Sequence, residues 1–302
     1  MKKLVKEIES LKKEKDAVIL AHYYVPDEIQ EIADYIGDSY YLSELATKVP
    51  QNTIVFCGVS FMGESAKILN PQKTVLLPEP TADCPMAHMA EAEHIRKLRE
   101  ETEDLAVVCY INSSAKLKAV SDVCVTSSNA LKIVAALPNK NILFIPDEHL
   151  GRYIASLLPE KNFIFNPGYC HVHASIQKEN LIQLMWEKKA AKVLVHPECP
   201  MEIIELGDYV GSTSGIIEYA TNSNAKEFIL CTETGVTHEL LRRNPNKIFH
   251  SVEVKQICPD MKKITLEKVH HTLKTGENEV LIHEDLRQQT YKPLERMLEL
   301  AK

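Results

Sequence analysis

The chain has 302 residues, of which 45% are hydrophobic and 25% charged, and a formal net charge of -7. That length can bury one large core or two to three smaller ones. The acidic balance speaks against non-specific nucleic-acid binding, and no apolar run approaches the roughly 20 residues of a membrane span. Eight cysteines without a secretion signal point to a reducing, cytoplasmic setting, where thiols serve as core residues, catalysts or metal ligands. None of them forms a CxxC pair, which disfavours a zinc ribbon or a thioredoxin-type site.

In chain order, Met1 to Glu9 reads as an amphipathic helix rather than a signal peptide. A strand-like run, Val18 to Ala21, ends at His22 and Tyr24; Asp34 stands twelve positions after His22, and Ser39 five after that, opening a helical pattern. A second strand (Ile54–Phe56), a helical stretch (Met62–Leu69), a third strand (Thr74–Leu77) and a loop with Cys84 follow. The same order returns with Ala106–Cys109, Tyr110, Asn112, Asp122, Ser127, then Ile142–Phe144, Leu150–Leu158, Asn162–Phe165 and Cys170. It returns again with Lys192–Val195, His196, Glu198, Asp208, Thr213, then Phe228–Leu230, Thr237–Arg243, Lys247–His250 and Cys258. The second strands are offset by 88 and 86 residues and the cysteines by 86 and 88, which identifies an internal repeat.

Each repeat alternates β-rich runs with helical periodicity, so it reads as a three-layer α/β/α unit with a parallel sheet. The units are expected at 1–86, joined by the tail 259–302, then 87–172 and 173–258. One such unit buries only a modest core, and no Ser- or Gly-rich linker separates them, so a compact pseudo-threefold triangle is expected. The helical tail, ending in Pro293 to Leu300, is expected to pack on the first unit near the N-terminal helix.

The carboxyl ends of parallel strands form a ligand-binding edge. Side chains two apart on an extended strand end share a face, so His22/Tyr24, Tyr110/Asn112 and His196/Glu198 form three outward pairs. Ser39, Ser127 and Thr213 are expected as hydroxyls at helix starts, where capping and the helix dipole favour an anion such as a carboxylate or phosphate. Three loop cysteines at equivalent positions would converge on one axis. There they suit a 4Fe–4S cluster with one iron free of protein ligands, or zinc with His171 or His173 as a fourth ligand. Cys57, Cys109, Cys124 and Cys231 lie in apolar runs and read as small buried hydrophobes. His196-Pro197-Glu198-Cys199-Pro200 is a rival metal site. Adjacent Glu198 and Cys199 would point apart, however, so His196 and Glu198 read as acid/base or positioning groups and Cys199 as structural.

With these motifs in view the chain resembles the quinolinate synthase family of bacteria and archaea. The likeness rests on Ala21-His-Tyr-Tyr24, Gly37-Asp-Ser39, Cys84-Pro-Met-Ala87, Tyr110-Ile-Asn-Ser113, Gly168-Tyr-Cys-His-Val-His173, Val195-His-Pro-Glu-Cys-Pro200, Gly211-Ser-Thr-Ser-Gly215 and Cys258-Pro-Asp-Met261, spread over essentially the whole length. The resemblance implies three α/β domains in pseudo-threefold array around one 4Fe–4S cluster, with Cys84, Cys170 and Cys258 as ligands and one open iron. It implies condensation of iminoaspartate with dihydroxyacetone phosphate to quinolinate, releasing phosphate and two waters, with the open iron as Lewis acid. By the same analogy His22, Ser39, Tyr110, Asn112, Ser127, His173, His196, Glu198 and Thr213 bind substrate, while Glu198, Tyr24 and His196 carry acid/base work. Some members have an extra cysteine that makes a redox-responsive CxxC; Pro259, Asp260 and Met261 follow Cys258 here, so that property does not transfer. The implied partners are the two small molecules and a transient contact with the enzyme that makes iminoaspartate, with no nucleic acid and no membrane. A zinc-dependent hydrolase or lyase built on His196 and Glu198, and a non-catalytic iron–sulfur sensor, are the alternative readings.

Overall fold

Parallel strands covered on both faces have to be largely apolar, and the first strand of each repeat meets that demand, apart from the exposed Lys192 that opens the third. In the computed structural model, which describes residues 2–253 and 256–302, β1 (Ala17–His22) and β5 (Leu105–Tyr110) are buried at every position. The remaining strands are β2 (Tyr35–Gly37), β3 (Thr53–Cys57), β4 (Thr74–Leu76), β6 (Val123–Val125), β7 (Asn141–Ile145), β8 (Asn162–Phe165), β9 (Lys192–Val195), β10 (Tyr209–Val210), β11 (Glu227–Cys231) and β12 (Ile248–Ser251). They form three four-stranded parallel sheets flanked by helices, ordered β2-β1-β3-β4, β6-β5-β7-β8 and β10-β9-β11-β12. The fold is thus α/β, with one topology used three times. Each unit has a strand more than the three expected from the pattern: β2, β6 and β10 span two or three residues, too few to display a period.

The repeated Asp explains these short strands. Asp34 donates its backbone N–H to the Ile19 carbonyl at 3.0 Å and accepts the Ile19 N–H on its carboxylate at 2.8 Å. Asp122 does the same with Val107 (2.9 and 2.7 Å), and Asp208 with Val193 (2.9 and 2.8 Å). Each carboxylate also pairs with a base, namely Lys12, Arg99 or Lys192. The Asp therefore staples the incoming chain to the first strand and sets the register of the edge strand.

A second threefold device was not singled out in the sequence. Lys161 donates to the Leu137 and Asn139 carbonyls at 2.8 and 2.9 Å, Lys247 to Ala220 and Ser223 at 2.5 and 2.8 Å, and Lys73 to Ala46 and Val49. Each ammonium meets carbonyls at or just past the end of the helix leading to the second strand, where the helix dipole favours a cation.

The tail divides between units. Its helix Leu266–Thr275 packs on the N-terminal helix Lys2–Glu14 and on β3. The longer helix Glu284–Leu300 lies against β6 and the helices Ala115–Ala119, Ala130–Ala136 and Ser60–Leu69, burying Leu294 and Met297 and bonding Thr290 Oγ1 to the Ala115 carbonyl. Among the described residues no helix is long and apolar enough to cross a membrane. Asp122→Ala removes a charge-assisted bond to Val107, so it should cost about 2 kcal/mol and lower the melting temperature by several degrees; an unchanged thermal transition would show that the Asp staple carries no stability.

Candidate active site

The strand ends of the three sheets face one cavity, and all thirteen candidate residues line it: His22, Tyr24, Ser39 and Cys84; Tyr110, Asn112, Ser127 and Cys170; His173, His196, Glu198, Thr213 and Cys258. The hydroxyls reach it differently from expectation. The helix Ser39–Ala46 is capped by Asp38, which accepts the Tyr41 N–H at 2.9 Å, and the helix Thr213–Asn222 by Ser212, which accepts the Gly215 N–H at 3.2 Å. Ser127 lies in the turn before the helix Ala130–Ala136. With capping done by the neighbouring residue, the Ser39 hydroxyl is left for the cavity, while Thr213 Oγ1 pairs there with the Tyr24 hydroxyl.

His22 and His196 occupy the same repeat position and the same local turn. Each accepts on Nδ1 the N–H two residues on, from Tyr24 at 3.2 Å and from Glu198 at 3.3 Å. A neutral imidazole so engaged carries its proton on Nε2, and His196 Nε2 lies 3.3 Å from Ser127 Oγ. Burial, the largest cause, pushes both down to about 3. At neutral pH they are therefore uncharged N–H donors rather than cations. Asn112 Oδ1 is buried with no hydrogen-bond partner, which leaves the amide free for a ligand.

Glu198, 3% exposed, is the charged centre of the site. Its Oε1 accepts the Tyr110 hydroxyl at 2.5 Å, and its Oε2 lies 2.7 Å from His173 Nδ1. Burial works to raise its carboxyl, but His173, His196 and the Tyr110 hydroxyl outweigh that and hold it well below the carboxylate range. Burial, with the Glu198 charge adding to it, drives the Tyr24 and Tyr110 phenols well above 10. Tyr24 thus keeps its proton and suits donation better than the base role the sequence allowed it.

Thr232, which sequence reasoning missed, completes a chain of polar contacts through all three units. Its hydroxyl lies 3.1 Å from His173 Nε2 and 3.1 Å from the Tyr24 hydroxyl, which is 2.7 Å from Thr213 Oγ1. Thr213, Tyr24, Thr232, His173, Glu198 and Tyr110 therefore form one continuous path. Thr232 directly follows Cys231 at the end of β11, and its repeat equivalents are Gly58 and Pro146, so the repeat carried no signal for a polar residue there.

Cys84 and Cys170 each precede a short helical turn (Pro85–His88 and His171–Ala174), and Cys258 leads into the turn at Met261–Lys263. The three sulfurs face backbone N–H groups: Met86 and Ala87, His173, and Met261 with Asp260. Burial nevertheless pushes all three thiols up, Cys258 to about 11, and the Glu198 charge raises Cys84 and Cys170 further, ahead of the smaller effects of Cys258 on Cys84 and of Cys84 on Cys170. Three half-buried thiols with N–H donors, of which Cys170 Sγ also lies 3.2 Å from His173 Nδ1, suit a cationic metal centre, which stabilises thiolates. Two donors on a single zinc lie at most roughly 4.6 Å apart, twice the bond length. Among the described residues, the one group whose donors all fall within 4.8 Å is Cys170, His173 and Glu198. The cysteine triad is more open and fits a multi-iron cluster better than one ion. Cys199 turns away, its Sγ donating to the Cys231 carbonyl at 3.3 Å, and Cys57, Cys109, Cys124 and Cys231 are buried free thiols.

The Quinolinate synthetase A protein family matches residues 6–299 of the chain. A quinolinate synthase of Clostridioides difficile is 55% identical over 300 residues, covering 99% of each chain. One from Fusobacterium nucleatum is 52% identical over 294 residues (97% of this chain, 98% of the relative), and one from a Sulfurihydrogenibium species 49% identical over 303 (99% and 98%).

An imidazole harder to protonate folded than unfolded withdraws stability as pH falls from its ordinary 6.5 towards 3. The denaturant midpoint should drop across that window, and less steeply in His196→Asn; equal slopes would show that His196 is not held neutral.

Proposed function

The chain belongs to the quinolinate synthetase A family, enzymes of NAD biosynthesis, and from that premise we propose that it condenses iminoaspartate with dihydroxyacetone phosphate, giving quinolinate, phosphate and two waters. The observation that carries the reading is the convergence of three repeat-equivalent cysteine loops and three repeat-equivalent polar pairs on one cavity. In this reading the units are 1–86 with 259–302, 87–172 and 173–258. Cys84, Cys170 and Cys258 hold one 4Fe–4S cluster, and when bound it supplies an open iron as a Lewis acid for a substrate oxygen or nitrogen.

The protein's own groups bind and move protons. His22 and His196 donate N–H bonds to the anionic substrate oxygens, together with Ser39, Ser127, Thr213 and the amide of Asn112. Glu198, ionised and fixed by Tyr110 and His173, takes the proton lost from carbon in the keto–aldo and dehydration steps and, its basicity lowered by those same partners, passes it on to His173 rather than keeping it. Tyr24, Thr232 and His173 offer a path along which that proton reaches the departing hydroxyl. The scarcity of formal positive charge in the cavity is consistent with recognition by oriented dipoles in a dry site.

A second reading, a single zinc on Cys170, His173 and Glu198 supporting hydrolase or lyase chemistry, is favoured by the closeness of those three donors. Metal analysis separates the two. Anaerobic protein should contain about four irons and four sulfides per chain, whereas zinc without sulfide would overturn the cluster reading. Glu198→Gln should keep the iron and substrate binding while turnover falls by roughly 10²–10⁴-fold, the range for loss of a general base; near-normal turnover would remove Glu198 from that role.

A further inference from the structure

We propose that Glu233 is a positioning residue that locks the Cys258 loop against the acid/base path; this rests on the reading of Cys258 as a cluster ligand. Glu233 follows Thr232 beyond the end of β11 and is 1% exposed. Its Oε1 accepts the Cys258 N–H at 3.0 Å and lies 3.1 Å from Lys262 Nζ, and its Oε2 accepts the Gly235 N–H at 2.6 Å. Lys262 Nζ also donates to the Tyr24 carbonyl at 2.6 Å. One buried carboxylate thus ties the third cysteine loop to the strand end that carries Thr232 and, through Lys262, to the first unit at Tyr24.

The other two loops have acids in comparable places. The Cys84 N–H donates to Asp83 Oδ1 at 2.8 Å, and Asp147, at the repeat position of Glu233, is fully buried against the Cys170 backbone. Of the three acids, Glu233 alone among the described residues is extended by a lysine into another unit. The Cys258 loop is open to solvent on one side, with Ile257 beside it 43% exposed, and Gln256 is its other pin, bonded to the Leu230 and Thr232 carbonyls at 2.9 and 2.7 Å. With the Cys258 amide fixed, the direction of its sulfur follows. Without Glu233, that amide and the Lys262 ammonium lose a buried acceptor, and the loop has reason to swing towards solvent.

The test uses the full-length protein, purified anaerobically, as Glu233→Ala, Glu233→Gln and Lys262→Met beside the unaltered chain. Cluster absorbance is followed during challenge with an iron chelator, and the reduced cluster is examined by electron paramagnetic resonance. Glu233→Ala should bleach about tenfold faster, as loss of a buried charge-assisted bond implies, with an altered resonance signature. Lys262→Met should move in the same direction, and Glu233→Gln should sit nearest the unaltered chain because its amide oxygen still accepts from Cys258. The latter two keep the test open if the alanine variant does not fold. Bleaching rates and spectra identical to the unaltered chain in Glu233→Ala and Lys262→Met would overturn the role of Glu233 alone. An unaltered chain with no iron–sulfur signature would overturn the cluster reading and this proposal with it.

Discussion

A carboxylate taken out of water has to be paired, and the pairing of Glu198 draws on all three units of the chain. Tyr110 reaches it from the second sheet, His173 from the short helix that follows β8, His196 from the third sheet, and Tyr24 of the first joins through Thr232. Breaking such a buried set by removing one partner is costly, so the three strand-end clusters support one another only when the units are closed together. The same closure gathers the cysteine loops around the cavity. Stability of the interface and assembly of the site are, on this account, one event.

The dependence runs back to the sheets. Parallel strands end at one edge, and the Asp staples at Asp34, Asp122 and Asp208 hold each first strand in register with its short edge strand. A slip of one residue would turn His22, Tyr110 and His196 away from the cavity, since side chains alternate along a strand. The lysines Lys73, Lys161 and Lys247 do for the helices what the Asp residues do for the strands, closing exposed carbonyls at helix ends.

Much of this was legible in the sequence because a repeat shows each functional position three times. The strand-end pairs and the loop cysteines recur at nearly constant offsets, and a threefold α/β layout follows from their order. What was not legible depends on contacts between distant residues or on neighbours one position away. Capping passed to Asp38 and Ser212 rather than Ser39 and Thr213, a shift of one residue that periodicity cannot resolve. Thr232 and Glu233 have no matching polar pair in the first unit, where Gly58 and Val59 stand, so the repeat hid them. The charge state of His22 and His196 follows from burial, which the sequence does not display. The tail's second helix crosses onto the second unit because its buried Leu294 and Met297 find an apolar face there.

In the proposed reading Cys84, Cys170 and Cys258 together hold a multi-iron cluster with one corner left for substrate. Anomalous diffraction at the iron edge from anaerobically grown crystals addresses it directly. One compact group of iron peaks among those three sulfurs is expected, with one iron that no side chain of the protein ligates. A single metal peak between Cys170, His173 and Glu198, or iron held by any other cysteine, would contradict it.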